Sequence, residues 1–195
     1  MTIAVRRSSA AWVAVAGAIG LLASLLLTIE KIRQIQNPAY VPSCNINPIL
    51  ACGSVMRTAQ AAVLGFPNPL IGIAAFAIVL STGVLALAQV AIPRWYWVGL
   101  TVGTAVGALF VHWLIFQSLY RIGALCPYCM VVWVVAMALL VVLTWIVLTP
   151  QLSVEEPHRV LRFLYQWRWP MYALWVTIVL LAILVQFWNY WSTLV

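Results

Sequence analysis

Residues 123–148 read GALCPYCMVVWVVAMALLVVLTWIVL, and two properties meet in that stretch. From Ile122 to Leu148 no side chain carries a formal charge. At about 1.5 Å per residue the run exceeds the roughly 30 Å of a bilayer's hydrocarbon core, so it reads as a membrane-crossing helix. At its head stand Cys126 and Cys129, separated by Pro127 and Tyr128. Proline suits the first turn of a helix, where its missing N–H is no loss, so both sulfurs are expected at a helix N-terminus. Unpaired backbone N–H groups and the positive end of the helix dipole favour a thiolate there, the condition for thiol-disulfide exchange. Arg121 adds a positive charge nearby, and no His follows Cys129, so the haem-attachment pattern is absent.

Four more uncharged runs of about 20 residues or longer flank this one: Ala10 to Ile29, Leu70 to Ile92, Trp95 to Tyr120, and Trp169 to Trp191. The chain of 195 residues is 66% hydrophobic and 7% charged, which no soluble globule matches. The expectation is an all-α membrane protein of five transmembrane helices. The first run follows Arg6 and Arg7 but ends in LLLTIEKIR without a small-x-small cleavage site, so it reads as a retained anchor. Trp and Tyr gather at the run ends, including Trp95, Tyr96, Trp97, Trp167, Trp169, Trp188, Tyr190 and Trp191, as headgroup belts require. Gly99, Gly103 and Gly107 form two GxxxG steps, read as a surface for close packing of a neighbouring helix.

The formal charge of +7 comes from 10 Lys and Arg against 3 acids. These basic residues stand singly between apolar spans, so they argue against nucleic acid and for orientation. With a cytoplasmic N-terminus, Arg6, Arg7, Arg94, Arg159, Arg162 and Arg168 lie inside, and Lys31, Arg33, Arg57 and Arg121 outside. That topology puts the C-terminus and all four cysteines, Cys44, Cys52, Cys126 and Cys129, on the outer side, where disulfides persist.

The outer loop, residues 30–68, holds Cys44 and Cys52. Its first part, rich in Pro and Asn, reads as irregular; a short helix is then expected with Asn47 as N-cap and Pro48 at the first helical position. On one continuous helix, residues eight apart would stand about 12 Å apart, too far to bond. The break at Pro48 lets Cys44 swing toward Cys52. On the inner side, residues 151–168 read as an interfacial amphipathic segment, followed by the fifth helix within 169–195. No acid stands within a span to couple an ion.

These features together resemble the vitamin K epoxide reductase family. The resemblance rests on Cys44, seven residues, Cys52 followed by Gly53, Ser54 and Val55; on Asn68 opening NPLIG; and on CPYC at the outer end of the fourth helix. The DsbB family, which does related chemistry, carries its CxxC in the first outer loop instead. The resemblance covers residues 1–150 as a four-helix domain around a quinone site, with a fifth helix beyond it and without a fused thioredoxin-like domain. It implies that Cys126 and Cys129 form the active-site disulfide, that Cys129 passes electrons to a quinone (menaquinone or ubiquinone), that Cys52 attacks Cys126, and that Cys44 exchanges with an outside partner. Asn68 is implied as a hydrogen-bond donor to a quinone carbonyl. Trp133 stands where many members have tyrosine, and Thr58 where many have serine; Trp133 is the candidate second quinone contact through its indole N–H. The implied function is a quinone-dependent thiol oxidoreductase in a bacterial plasma membrane, reoxidising a DsbA-like thioredoxin-fold protein that arrives as a separate chain. The opposing readings are a transporter or a carrier that exports reductant, with cysteines that gate or brace. Static bridges do not explain CPYC at a helix start, where a three-residue spacing braces almost nothing. A zinc site would have to hold its metal at a lipid boundary with only one pair at knuckle spacing.

Overall fold

The computed structural model describes residues 2–3, 5–152 and 159–192. Five helices are long and apolar enough to cross a membrane, as expected: α1 (Arg7–Gln36), α3 (Pro69–Leu87), α4 (Arg94–Gln117), α5 (Pro127–Leu152) and α6 (Arg159–Gln186). Between α1 and α3 lie the short helix α2 (Cys52–Met56) and a 3-10 turn (Ala59–Ala62); a four-residue helix, α7 (Trp188–Trp191), follows α6.

Several boundaries differ from the sequence expectation. α1 does not stop at Ile29. Thirty residues of helix extend about 45 Å, so its last turns continue past the hydrocarbon, carrying Glu30, Lys31, Arg33 and Gln34 until Asn37 and Pro38 end it. The fifth span begins at Arg159, and the helix runs through Pro170, so residues 159–168 are continuous with it; residues 153–158 and 193–195 lie outside the described residues. The helix expected from Asn47 starts only at Cys52. Asn47 instead caps a turn, its Oδ1 accepting the N–H groups of Ile49 and Leu50 at 3.0 and 2.7 Å.

α1 packs along α3 and α5, and α4 packs on α5. Glycine on the first two makes their approach close: a β-carbon at Gly17 would stand 2.6 Å from the Leu80 backbone nitrogen, and one at Gly83 would overlap the Ala14 backbone. The core below the cysteines is built from Val13, Phe76, Val79, Trp97, Leu139 and Leu143. At the bundle end far from the cysteines, β1 (Thr2–Ile3) pairs antiparallel with β2 (Ile92–Pro93), which ties the N-terminus to the α3–α4 connection.

α6 rests on α5 from outside the four-helix group. Tyr172 donates to the Val134 carbonyl at 3.1 Å, and Trp175 Nε1 donates to His112 Nε2 at 2.8 Å. Because tryptophan is a donor only, His112 Nε2 must accept, so its Nδ1 carries the proton and donates to the Ala108 carbonyl at 2.7 Å. His112 thus serves as a bond between α4 and α6.

Candidate active site

The site is assembled where α4 hands over to α5. α4 loosens into a π turn (Ser118–Ile122), which Gly123 closes in the left-handed conformation at φ +68°, its N–H bonded to the Ser118 carbonyl at 3.1 Å. A side chain there would be strained, which accounts for the glycine. The next residues run extended, and Leu125 joins the outer loop: its N–H donates to the Ile49 carbonyl at 2.7 Å and its carbonyl accepts from the Ala51 N–H at 2.9 Å. Pro127 then opens α5, as its place in the sequence predicts.

This pairing brings the four cysteines to one place. Cys44 and Cys52 are joined by a disulfide with a Cα separation of 5.7 Å, as the break at Pro48 allows. Cys126 and Cys129 are free thiols. Cys44, Cys52 and Cys126 pack into a single buried group with Leu27 and Met56, and Tyr128 and Cys129 lie against it. The sulfurs are withdrawn from solvent: Cys52 is 0%, Cys126 1% and Cys44 5% exposed. Cys126, just ahead of the α5 span, is held below the usual thiol range by the hydrogen bond from the Cys129 thiol, opposed by burial and aided by the Cys129 N–H 3.4 Å away.

The loop is pinned from the top of α1, a feature the sequence reading passed over. Glu30 accepts from Ser43 at 2.7 Å and from Tyr40 at 2.9 Å. Gln34 donates to the Gly53 carbonyl at 3.2 Å, and Lys31 to the Met56 carbonyl at 2.6 Å. Ser43 precedes Cys44 and Gly53 follows Cys52, so each leg of the disulfide is anchored one residue away. Glu30 is therefore a buried acid on α1, but both its oxygens are occupied in holding the loop. The signal in the sequence was the unbroken helical stretch LLLTIEKIRQIQ, with no Pro or Gly before Asn37.

Beneath this group opens a cavity of about 540 Å³, walled by α1, α3, α4 and α5 and bordered by Cys126, Cys129, Asn68, Phe76, Tyr96 and Trp133. Gly99, Gly103 and Gly107 do not receive a helix. A β-carbon at any of them would meet nothing within 4 Å, and all three line the cavity, so the stripe hollows the bundle where close packing was expected.

Residues 11–145 match the vitamin K epoxide reductase family. This chain belongs to that family. No curated protein matches it. The vitamin K epoxide reductase family comprises quinone-linked membrane thiol oxidoreductases, and a multi-pass membrane protein with a Cys44–Cys52 disulfide accords with it.

Three positions singled out for the family can now be placed. Asn68 lies at the head of α3 and lines the cavity; one amide proton goes to the Gln60 carbonyl at 2.7 Å, and its oxygen accepts from the Val63 N–H at 3.1 Å. Its second amide proton has no acceptor among the described residues. Trp133 lines the cavity, while its Nε1 is enclosed and has no acceptor among the described residues. Thr58 donates to the Val55 carbonyl at 2.7 Å, closing the end of α2.

Proposed function

We propose that this protein is a quinone-dependent thiol oxidase that keeps an extracytoplasmic thioredoxin-like partner oxidised. The observation that carries the reading is the buried contact of Cys44, Cys52 and Cys126 directly above a cavity bordered by Cys129. Each transfer in such a relay breaks one S–S bond and forms another. A partner thiolate attacks Cys44, leaving Cys52 as thiolate; the partner's second thiol resolves the mixed bond. Cys52 then attacks Cys126 of the oxidised CPYC pair and releases Cys129; Cys44 closes on Cys52 and frees Cys126.

The cavity suits an apolar aromatic ligand. Its volume falls within the roughly 300–1,000 Å³ of small-molecule sites, and its walls are mostly hydrocarbon. Asn68 would hold a quinone oxygen with its remaining amide proton, and Trp133 would offer ring surface. When bound, a quinone supplies an acceptor for two electrons and two protons from the Cys126 and Cys129 thiols. Lys31, Arg33, Arg57 and Arg121 stand toward the cysteine end, against six basic residues toward or beyond the other, so we place the sulfurs outside a bacterial plasma membrane. Net oxidation then follows from location: thioredoxin-like oxidants outside the cytoplasm sit near about −120 mV and need a stronger acceptor.

The test combines the purified protein, a reduced thioredoxin-like protein and a quinone, with quinone absorbance as readout. Quinone reduction that disappears in Cys44→Ala, Cys52→Ala, Cys126→Ala and Cys129→Ala is the expected result. Reduction independent of the cysteines, or none at all, overturns the reading.

A further inference from the structure

The cavity contains a hydroxyl that the relay does not use. Ser24, near the middle of α1, is 3% exposed and lines the cavity, and among the described residues its side chain has no hydrogen-bond partner. Inside a membrane helix a hydroxyl satisfies itself by donating to the carbonyl four residues earlier. Thr28, Thr82, Thr101, Thr104 and Thr177 all do so, at 2.7 to 2.9 Å. Ser24 instead directs its oxygen across to α3, where it lies against Gly72; a β-carbon at Gly72 would overlap that oxygen. Gly72 stands one helical turn below Asn68, and the Phe76 ring one turn below Gly72. The hydroxyl thus stands at the cavity wall with its hydrogen-bonding capacity open to whatever fills the cavity.

We infer that Ser24 is a ligand contact, hydrogen-bonding an oxygen of the quinone bound in this cavity. The inference rests on the reading given under Proposed function. The chemistry favours a hydroxyl. An oxidised quinone presents carbonyl oxygens, which only accept; after gaining two electrons and two protons its oxygens carry O–H groups, which also donate. The Asn68 side-chain oxygen already accepts from the Val63 N–H, so what Asn68 offers a ligand first is its amide proton. A serine hydroxyl both donates and accepts, and so fits the ligand before and after reduction. Gly72 is the complement: only a residue without a β-carbon leaves room for that oxygen at the cavity wall.

The experiment measures equilibrium binding of a short-tailed naphthoquinone, oxidised and chemically reduced, by quenching of tryptophan fluorescence in detergent-purified protein. Trp133 at the wall provides the local reporter. Ser24→Ala should weaken binding of both forms by roughly three- to tenfold, the size of one hydrogen bond. Alanine favours helix, so the fold is not at risk. Gly72→Ala, which displaces the hydroxyl, should weaken both forms as well, and should add less in the Ser24→Ala background than in wild type. If Ser24→Ala binds both forms within twofold of wild type, the Ser24 assignment is overturned while the quinone site stands. If wild type itself shows no saturable quenching, the quinone reading fails and the assignment falls with it.

Discussion

The Ala51 N–H donates to the Leu125 carbonyl across 2.9 Å, and each of these residues immediately precedes a cysteine of the proposed relay. With Leu125 returning a bond to Ile49 at 2.7 Å, this is a stitch of parallel strand one residue wide between a loop and the head of a membrane helix. It sets Cys52 beside Cys126 by backbone geometry, without reliance on side-chain packing alone.

If that stitch sets the distance between the pairs, loosening it should slow transfer without abolishing the loop disulfide. Asn47→Ala removes the acceptor of two N–H groups in the turn that presents Ala51. Passage of electrons from Cys44/Cys52 to Cys126/Cys129 should fall by about tenfold, since small misplacements of reacting groups cost that much or more. Rapid-quench alkylation at successive times reads the step directly.

Removing the resolving thiol should stop the relay halfway. In Cys129→Ala, the Cys126 thiolate can open the Cys44–Cys52 disulfide at Cys52, releasing Cys44 as a thiol, and with no Cys129 to reopen the new bond from the α5 side a Cys52–Cys126 bond should accumulate. Peptide mapping by mass spectrometry checks this. Finding only Cys44 bonded to Cys52 would reverse the proposed order.

The two sets of glycines should respond in opposite ways to added bulk. Gly103→Leu projects into open cavity, so melting should be unchanged while quinone affinity falls by about tenfold or more. Gly83→Leu collides with the α1 backbone at Ala14 and should lower stability by about 1–3 kcal/mol or more. Thermal unfolding in detergent, paired with ligand binding, separates the two.

His112→Ala should release α6 without touching the sulfurs. It strips the acceptor from Trp175, a bond between membrane helices worth about 0.6 to 1.7 kcal/mol. The expected result is a loss of that size in unfolding and faster proteolysis around residues 159–175, with the Cys44–Cys52 bond intact.

Much of this arrangement can be read from the chain itself. Five spans follow from uncharged length, and Pro127 marks the start of α5 because proline has one favourable place in a helix. That Cys44 can reach Cys52 is legible as well, since Pro48 rules out a continuous helix between them. What escaped was whatever depends on partners distant in sequence. Asn47 has the side chain of a helix cap, yet Leu125 draws Ala51 into extended pairing, and the helix is delayed to Cys52. The stripe of Gly99, Gly103 and Gly107 has the spacing of a helix contact, but whether a neighbour fills it is decided by where α3 lies, which spacing cannot report. Glu30 was invisible as a loop anchor because its partners, Tyr40 and Ser43, sit in a segment with no periodicity.

The withdrawal of the sulfurs from water carries a cost and an advantage. With Cys44 only 5% exposed and Cys52 and Cys126 sealed beneath it, a small dissolved thiol finds almost no target on the closed surface. Under the proposed relay, a partner protein would have to displace the segment held by Tyr40 and Ser43 to reach the first sulfur. The loop thus works as insulation around a short wire, and under the proposed relay it keeps the membrane's oxidising power from leaking into whatever reductant drifts past.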